Sequence, residues 1–243
     1  MAEEDVPERK RVKIPKAIKA AAKTVHVHNY YQEVKNDGPV YRNKNKLAPQ
    51  HPARILIVGS AGAGKTNFLC NLLDKCGNYD QILIFCRNLD QPLYNMLQER
   101  NNVIASNTLE DLPDPDELPD TDDTQRICVF DDFQTASKQD HALIVDYFVR
   151  ARSKNCSAVY ITQSYVACPK DIRLQCNYVF IKGVNSSNTL NWIMKDFAVD
   201  VPPKRLADMY RNATKHGEFL QLDLVTKDPK MMYRRGFGLG YVP

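Results

Sequence analysis

From Pro52 onward, short apolar runs alternate with longer stretches whose apolar residues recur at helical spacing. Arg54–Val58 (RILIV) is rich in β-branched residues and runs into a glycine, the pattern of a strand buried on both faces. Residues 65–76 follow as a helix, with Phe68, Leu69, Leu72 and Leu73 on one stripe. Gln81–Cys86 (QILIFC) predicts a second strand, Pro92–Arg100 a second helix and Asn102–Ala105 a short third strand. Arg126–Phe130 (RICVF) predicts the next strand. Ser137–Lys154 reads as a helix with Ala142, Ile144, Val145, Tyr147 and Phe148 on its apolar face. Strands are predicted at Ser157–Thr162 and Tyr178–Ile181, helices at Asn188–Phe197 and Pro203–Ala213. The chain closes with strand-like runs at Phe219–Val225 and Met231–Arg234. Such alternation predicts an α/β domain with a mainly parallel sheet flanked by helices.

Two stretches break the pattern. Leu109–Asp123 holds eight acidic residues and three prolines, the composition of an exposed loop. Residues 1–50 lack a sustained period, and seven basic residues lie between Arg9 and Lys23 with no acidic one among them. That segment reads as a basic, flexible N-terminal arm: a solvated tail, a contact to phosphate backbone or a nuclear-import signal. The expected organisation is therefore an arm over 1–50 and one P-loop domain over 51–243, in keeping with 243 residues.

Composition adds limits. Hydrophobic residues make up 43% and charged residues 26%, as in ordinary globular proteins. No apolar run reaches 18 residues, so no membrane span is expected, and the N-terminus lacks the apolar stretch of a secretory signal. The seven cysteines form no CxxC pair, which favours a reducing compartment over disulfides or zinc. The expected location is inside a cell, in cytoplasm or nucleus, and not secreted.

The most specific chemistry is Gly59-Ser60-Ala61-Gly62-Ala63-Gly64-Lys65-Thr66, a full match to G-x-x-x-x-G-K-[ST] between a predicted strand and helix. Glycines let the backbone curl so that several N–H groups converge on a phosphate, and the helix adds its positive end. Lys65 is expected to reach the β- and γ-phosphates, and the Thr66 hydroxyl to sit on Mg2+.

Asp131-Asp132 follow the strand at Arg126–Phe130, which puts both carboxylates at a strand C-terminus, where α/β sheets bind ligands. Asp131 is assigned to the magnesium and Asp132 to orienting and deprotonating the attacking water. Two strand–helix units fit between the P-loop strand and this one. In one division of P-loop ATPases a later strand inserts between the two and aims a polar residue at the γ-phosphate; here that residue is Gln163. Arg150, Arg152 and Arg173 are the candidates for a mobile transition-state cation, a group worth about 10³–10⁵ in rate.

Ala151–Tyr165 (ARSKNCSAVYITQSY), Cys168–Arg173 (CPKDIR) and Asn177-Tyr178 resemble segments of viral genome-packaging ATPases in the FtsK–HerA superfamily. The resemblance spans about Pro52 to Phe197. It implies a RecA-like core, ATP as the nucleotide, a ring of the chain's own subunits, double-stranded DNA as load and a capsid or portal-vertex protein as partner. By the same resemblance Gln163 matches the sensor and Arg152 the family's arginine. Ser153 departs from the usual histidine, Cys156 from a common isoleucine and Ala151 from a common glycine.

The leading expectation is an ATP-hydrolysing translocase that pumps DNA into a capsid. The alternatives are a cellular-type translocase or helicase-like motor, and a scaffold that binds ATP without translocating. A GTPase is disfavoured because no N-K-x-D follows a late strand.

Overall fold

The computed structural model describes residue 30 and residues 41–119, 123–184, 186–197, 201–238 and 240. The basic run between Arg9 and Lys23 lies outside the described residues.

Six strands run parallel. β1 (Arg54–Gly59), β2 (Gln81–Cys86), β3 (Val103–Ser106), β4 (Arg126–Asp131), β5 (Cys156–Thr162) and β6 (Tyr178–Lys182) are joined at one edge by antiparallel β7 (Leu220–Asp223) and β8 (Tyr233–Arg235). The order across the sheet is β3-β2-β4-β5-β1-β6-β7-β8. The late strand β5 thus lies between β1 and β4, pairing Ile57 with Ile161 on one side and Asp131 with Ile161 on the other.

Alternate residues of each central strand face opposite layers, as the period of two requires. Ile55 and Ile57 meet α1 (Lys65–Lys75) and α2 (Pro92–Gln98) through Phe68, Leu69, Leu72, Tyr94 and Leu97. Leu56 and Val58 belong to the other core, with α3 (Lys138–Val149), α4 (Lys170–Gln175), α5 (Ser187–Asp196) and α6 (Pro203–Lys215). Coverage of both faces explains why these strands are continuously apolar. A short helix, α7 (Pro229–Met232), precedes β8. All seven cysteines are buried free thiols.

The structure departs from the sequence expectation in four places. The helix expected to reach Lys154 ends at Val149, and Ala151–Lys154 continues as a 3-10 turn that Asn155 closes at φ 55°. Its start is as expected: Ser137 and Asp140 form a reciprocal capping box. The helix α4 had not been anticipated; six residues are too few for a periodic signal. The acidic loop is not simply solvated, because Leu109, Pro115 and Leu118 are buried while Asp114 and Asp116 grip Arg150. The last strand begins at Tyr233 rather than Met231, since residues 229–232 are helical.

Residues 41–50 make specific contacts. Asn43 bridges to Gly77, the Arg42 guanidinium pairs with Asp80, and Ala48 is buried.

Candidate active site

The C-terminal ends of β1, β4 and β5 converge on one cleft of about 470 Å3, lined by the P-loop, Asp131, Asp132, Thr162 and Gln163. Strand order does this: with β5 between β1 and β4, three sequence-distant segments open on the same edge.

The loop is shaped by two glycines in left-handed conformation, Gly62 (φ 75°) and Gly64 (φ 86°), which side chains rarely adopt. Gly64 is also the N-cap of α1, so the helix's unpaired N–H groups open on the cleft. Lys65 folds over the loop, its Nζ donating to the carbonyls of Gly59 (2.9 Å) and Ser60 (3.0 Å). Burial pulls the Lys65 ammonium below the usual lysine range, and the charges of Asp131 and Asp132 oppose this.

Asp131 is 9% exposed. Its Oδ2 accepts a 2.5 Å hydrogen bond from the hydroxyl of Tyr94, a fully buried residue of α2. Burial raises the Asp131 carboxyl above the ordinary carboxylate range; the Tyr94 hydrogen bond and the Lys65 charge counter it. Asp132 sits at φ 64°, where the backbone turns sharply off β4. Aspartate is one of the few side chains that tolerates this region, and such strain clusters at functional sites. Gln163 is exposed at the cleft mouth. The Ser164 N–H donates to Thr162 Oγ1 (3.2 Å) and fixes the turn that follows β5.

The structure therefore gathers Gly62, Gly64, Lys65, Thr66, Asp131, Asp132 and Gln163 around one cleft. Arg152 is not among them. It lies in the 3-10 turn before β5, at the opposite edge of the sheet, exposed and beside Arg54, whose guanidinium is lowered first by burial and then by the Arg152 charge. Among the described residues, the Arg152 side chain makes no hydrogen bond or ion pair. The other two arginines are engaged: Arg150 with Asp114, Asp116 and Asp146, and Arg173 with Asp196 (3.2 Å) and the Tyr165 ring (4.6 Å). Ser153, at the position usually held by histidine, donates its hydroxyl to the Arg150 carbonyl within the turn.

Two contributors had no sequence signal. Tyr94 belongs to no motif and lies within the helix predicted at Pro92–Arg100. Gly183, after β6, has φ 65° and its carbonyl accepts from Ser60 N–H at 3.1 Å. A Cβ there would lie 2.7 Å from Ser60 Oγ, and one on Gly59 would lie 2.5 Å from the Lys182 carbonyl. The end of β6 is thus pressed directly against the P-loop.

Among the described residues no helix is long and apolar enough to cross a membrane, and no cluster of three or more His, Cys, Asp or Glu is placed to hold a metal.

Comparison with known proteins agrees with this fold. B204, the DNA-packaging ATPase of Sulfolobus Turreted Icosahedral Virus, superposes with a TM-score of 0.54 at 13% identity, covering 72% of this chain and 93% of that one. EssC (ATPases 2 and 3) of Geobacillus thermodenitrificans gives 0.50 at 13% identity, covering 71% of this chain and 38% of that one. No curated protein sequence matches. The family model described as Poxvirus A32 protein matches residues 41–218. The chain is a RecA-like P-loop ATPase and belongs to the poxvirus A32 protein family.

Proposed function

We propose that this chain hydrolyses ATP to drive double-stranded DNA into a capsid, acting in a ring of its own subunits. The observation that carries the reading is the insertion of β5 between β1 and β4, which sets Gln163 beside the P-loop and Asp131-Asp132. A cleft meant only to hold nucleotide needs the phosphate cradle alone. An acid pair and a polar sensor on separate strands serve water attack and its coupling to motion. Family membership and the fold shared with the B204 DNA-packaging ATPase support DNA as the load.

The residues present fit a divalent cation. Asp131 is buried and its charge is disfavoured there, so a cation would offset the cost, and Thr66 supplies a hydroxyl in the same cleft. One carboxylate and one hydroxyl suffice for Mg2+, which takes its other ligands from phosphate and water. When bound, the ion neutralises charge on the phosphates. Lys65 then binds the phosphate chain, Asp132 accepts the proton of the attacking water, and Gln163 reports whether the terminal phosphate is present.

Arg152 is the arginine that fits a finger acting on a neighbour's site. It is exposed and unpaired among the described residues, and it sits across the sheet from its own P-loop. Family membership supports a capsid or portal-vertex protein as partner and a location in the host cell, in cytoplasm or nucleus, or with the virion.

The test is ATP hydrolysis by purified protein with and without double-stranded DNA, together with particle assembly. DNA should stimulate phosphate release, Lys65→Ala and Asp132→Asn should reduce it by about 100-fold or more, and capsids assembled with Lys65→Ala should lack DNA. Filled capsids in that mutant would exclude packaging. Turnover indifferent to DNA in the wild type would favour the scaffold reading.

A further inference from the structure

We propose that the nucleoside half of the nucleotide binds in a second cavity, across the first turn of α1 from the catalytic cleft, walled by the β7–β8 hairpin and the turn after it. The inference rests on reading Gly59–Thr66 as an ATP site. This cavity, of about 570 Å3, falls in the range of ordinary small-molecule sites. Gly64 and Asn67 border both cavities, so among the described residues the P-loop end of α1 is the wall they share.

The roles proposed for the catalytic cleft set the direction. Asp132 and Gln163 line it and act at the terminal phosphate, so the rest of the nucleotide leaves on the side away from the acid pair. That side offers the chemistry a nucleoside needs. Phe237 lines it and lies stacked on Phe68 with ring centroids 5.1 Å apart. Arg235, exposed at the rim, supplies a planar cation that stacks on a base. Lys182 Nζ lies 3.9 Å from the point a Cβ on Gly64 would occupy, beside the loop and able to meet the phosphate nearest the sugar. It is held there by donating to the Gly217 carbonyl (2.7 Å) and by the Phe219 ring, 5.4 Å away.

The wall is anchored. Gly236 N–H donates to the Phe219 carbonyl (2.8 Å), and Arg234 pairs with Asp223 in a buried bridge of 2.8 Å. Phe219, Arg235 and Phe237 lie beyond residue 218, where the family match ends.

The experiment compares ATP with inorganic tripolyphosphate, which lacks the nucleoside, by calorimetry on the full chain. Phe237→Leu keeps an apolar contact to Phe68 but removes the ring, and Arg235→Ala alters an exposed residue. Either variant should weaken ATP by about tenfold while tripolyphosphate stays within about twofold, with KM raised and kcat kept. If neither variant separates the two ligands by more than about threefold, the nucleoside does not bind here. Lys65→Ala should weaken both ligands together. If it weakens neither, the ATP-site reading itself fails, a result distinct from failure at Phe237.

Discussion

The hydroxyl of Tyr94 donates to Oδ2 of Asp131 across 2.5 Å, joining α2 to the carboxylate at the end of β4. Asp131 is buried enough that its charge is disfavoured, and this bond is the largest influence that opposes the effect of burial. A residue outside every recognised motif therefore favours the charged form of a proposed metal ligand.

Tyr94→Phe should raise the Asp131 pKa further, because a donor to the charged form is lost. The acid limb of the ATPase pH profile should move to higher pH. The fold should lose about 1–3 kcal/mol, since the carboxylate keeps its burial but loses a partner. An unshifted acid limb would make Tyr94 a packing residue only.

Gly183→Ala tests the contact between the end of β6 and the P-loop. The residue would have to hold φ 65° with its Cβ 2.7 Å from Ser60 Oγ. The combined strain and overlap should cost about 2 kcal/mol or more. Relief requires the loop to move, so KM for ATP should rise with the fall in Tm. A fall in Tm with KM unchanged would show that the loop does not depend on Gly183.

Arg152→Ala should lower kcat by about 100-fold or more while leaving ATP affinity unchanged, because the side chain is remote from its own cleft. Mixing Arg152→Ala with Lys65→Ala subunits should restore part of the activity, since some interfaces then pair an intact P-loop with an intact Arg152. No recovery in mixed assemblies would count against action in trans.

His51 gives a pH dependence of stability rather than of chemistry. Its ring is buried: Nε2 faces the Asn155 carbonyl and Oδ1 (both 3.1 Å), and Nδ1 meets Ser157 Oγ at 2.8 Å. Ser157 Oγ also accepts from Ala53 N–H, which suits a neutral ring with its proton on Nε2. Burial lowers the pKa from 6.5 to about 4. The unfolded chain therefore binds the proton more readily, so stability is full above pH 6.5 and falls as pH drops toward 4. The loss should reach about 3 kcal/mol, and His51→Gln should flatten that part of the curve in urea titrations between pH 7 and 4.

The sequence by itself determined the parts whose cause is local. A run of apolar β-branched residues predicts a buried strand, and Gly62 and Gly64 permit the curl of the phosphate loop. Asp131 and Asp132 were legible for the same reason, as acids at the end of an apolar run. The β5 insertion, expected from likeness to one division of P-loop ATPases, matches the sheet order. Tertiary structure alone decided which distant groups meet these. Tyr94 sits on a predicted helix and belongs to no motif. Gly183 matters because β6 lies against β1, and Arg152 faces away from its own P-loop because it precedes β5 instead of following it. Leu109 and Leu118 turn part of an acidic loop inward, and the β7–β8 edge brings Phe237 beside Phe68. Such contacts join residues far apart in sequence through sheet order, to which local periodicity is blind; hence the phosphate cradle could be read from eight residues, but its supports could not.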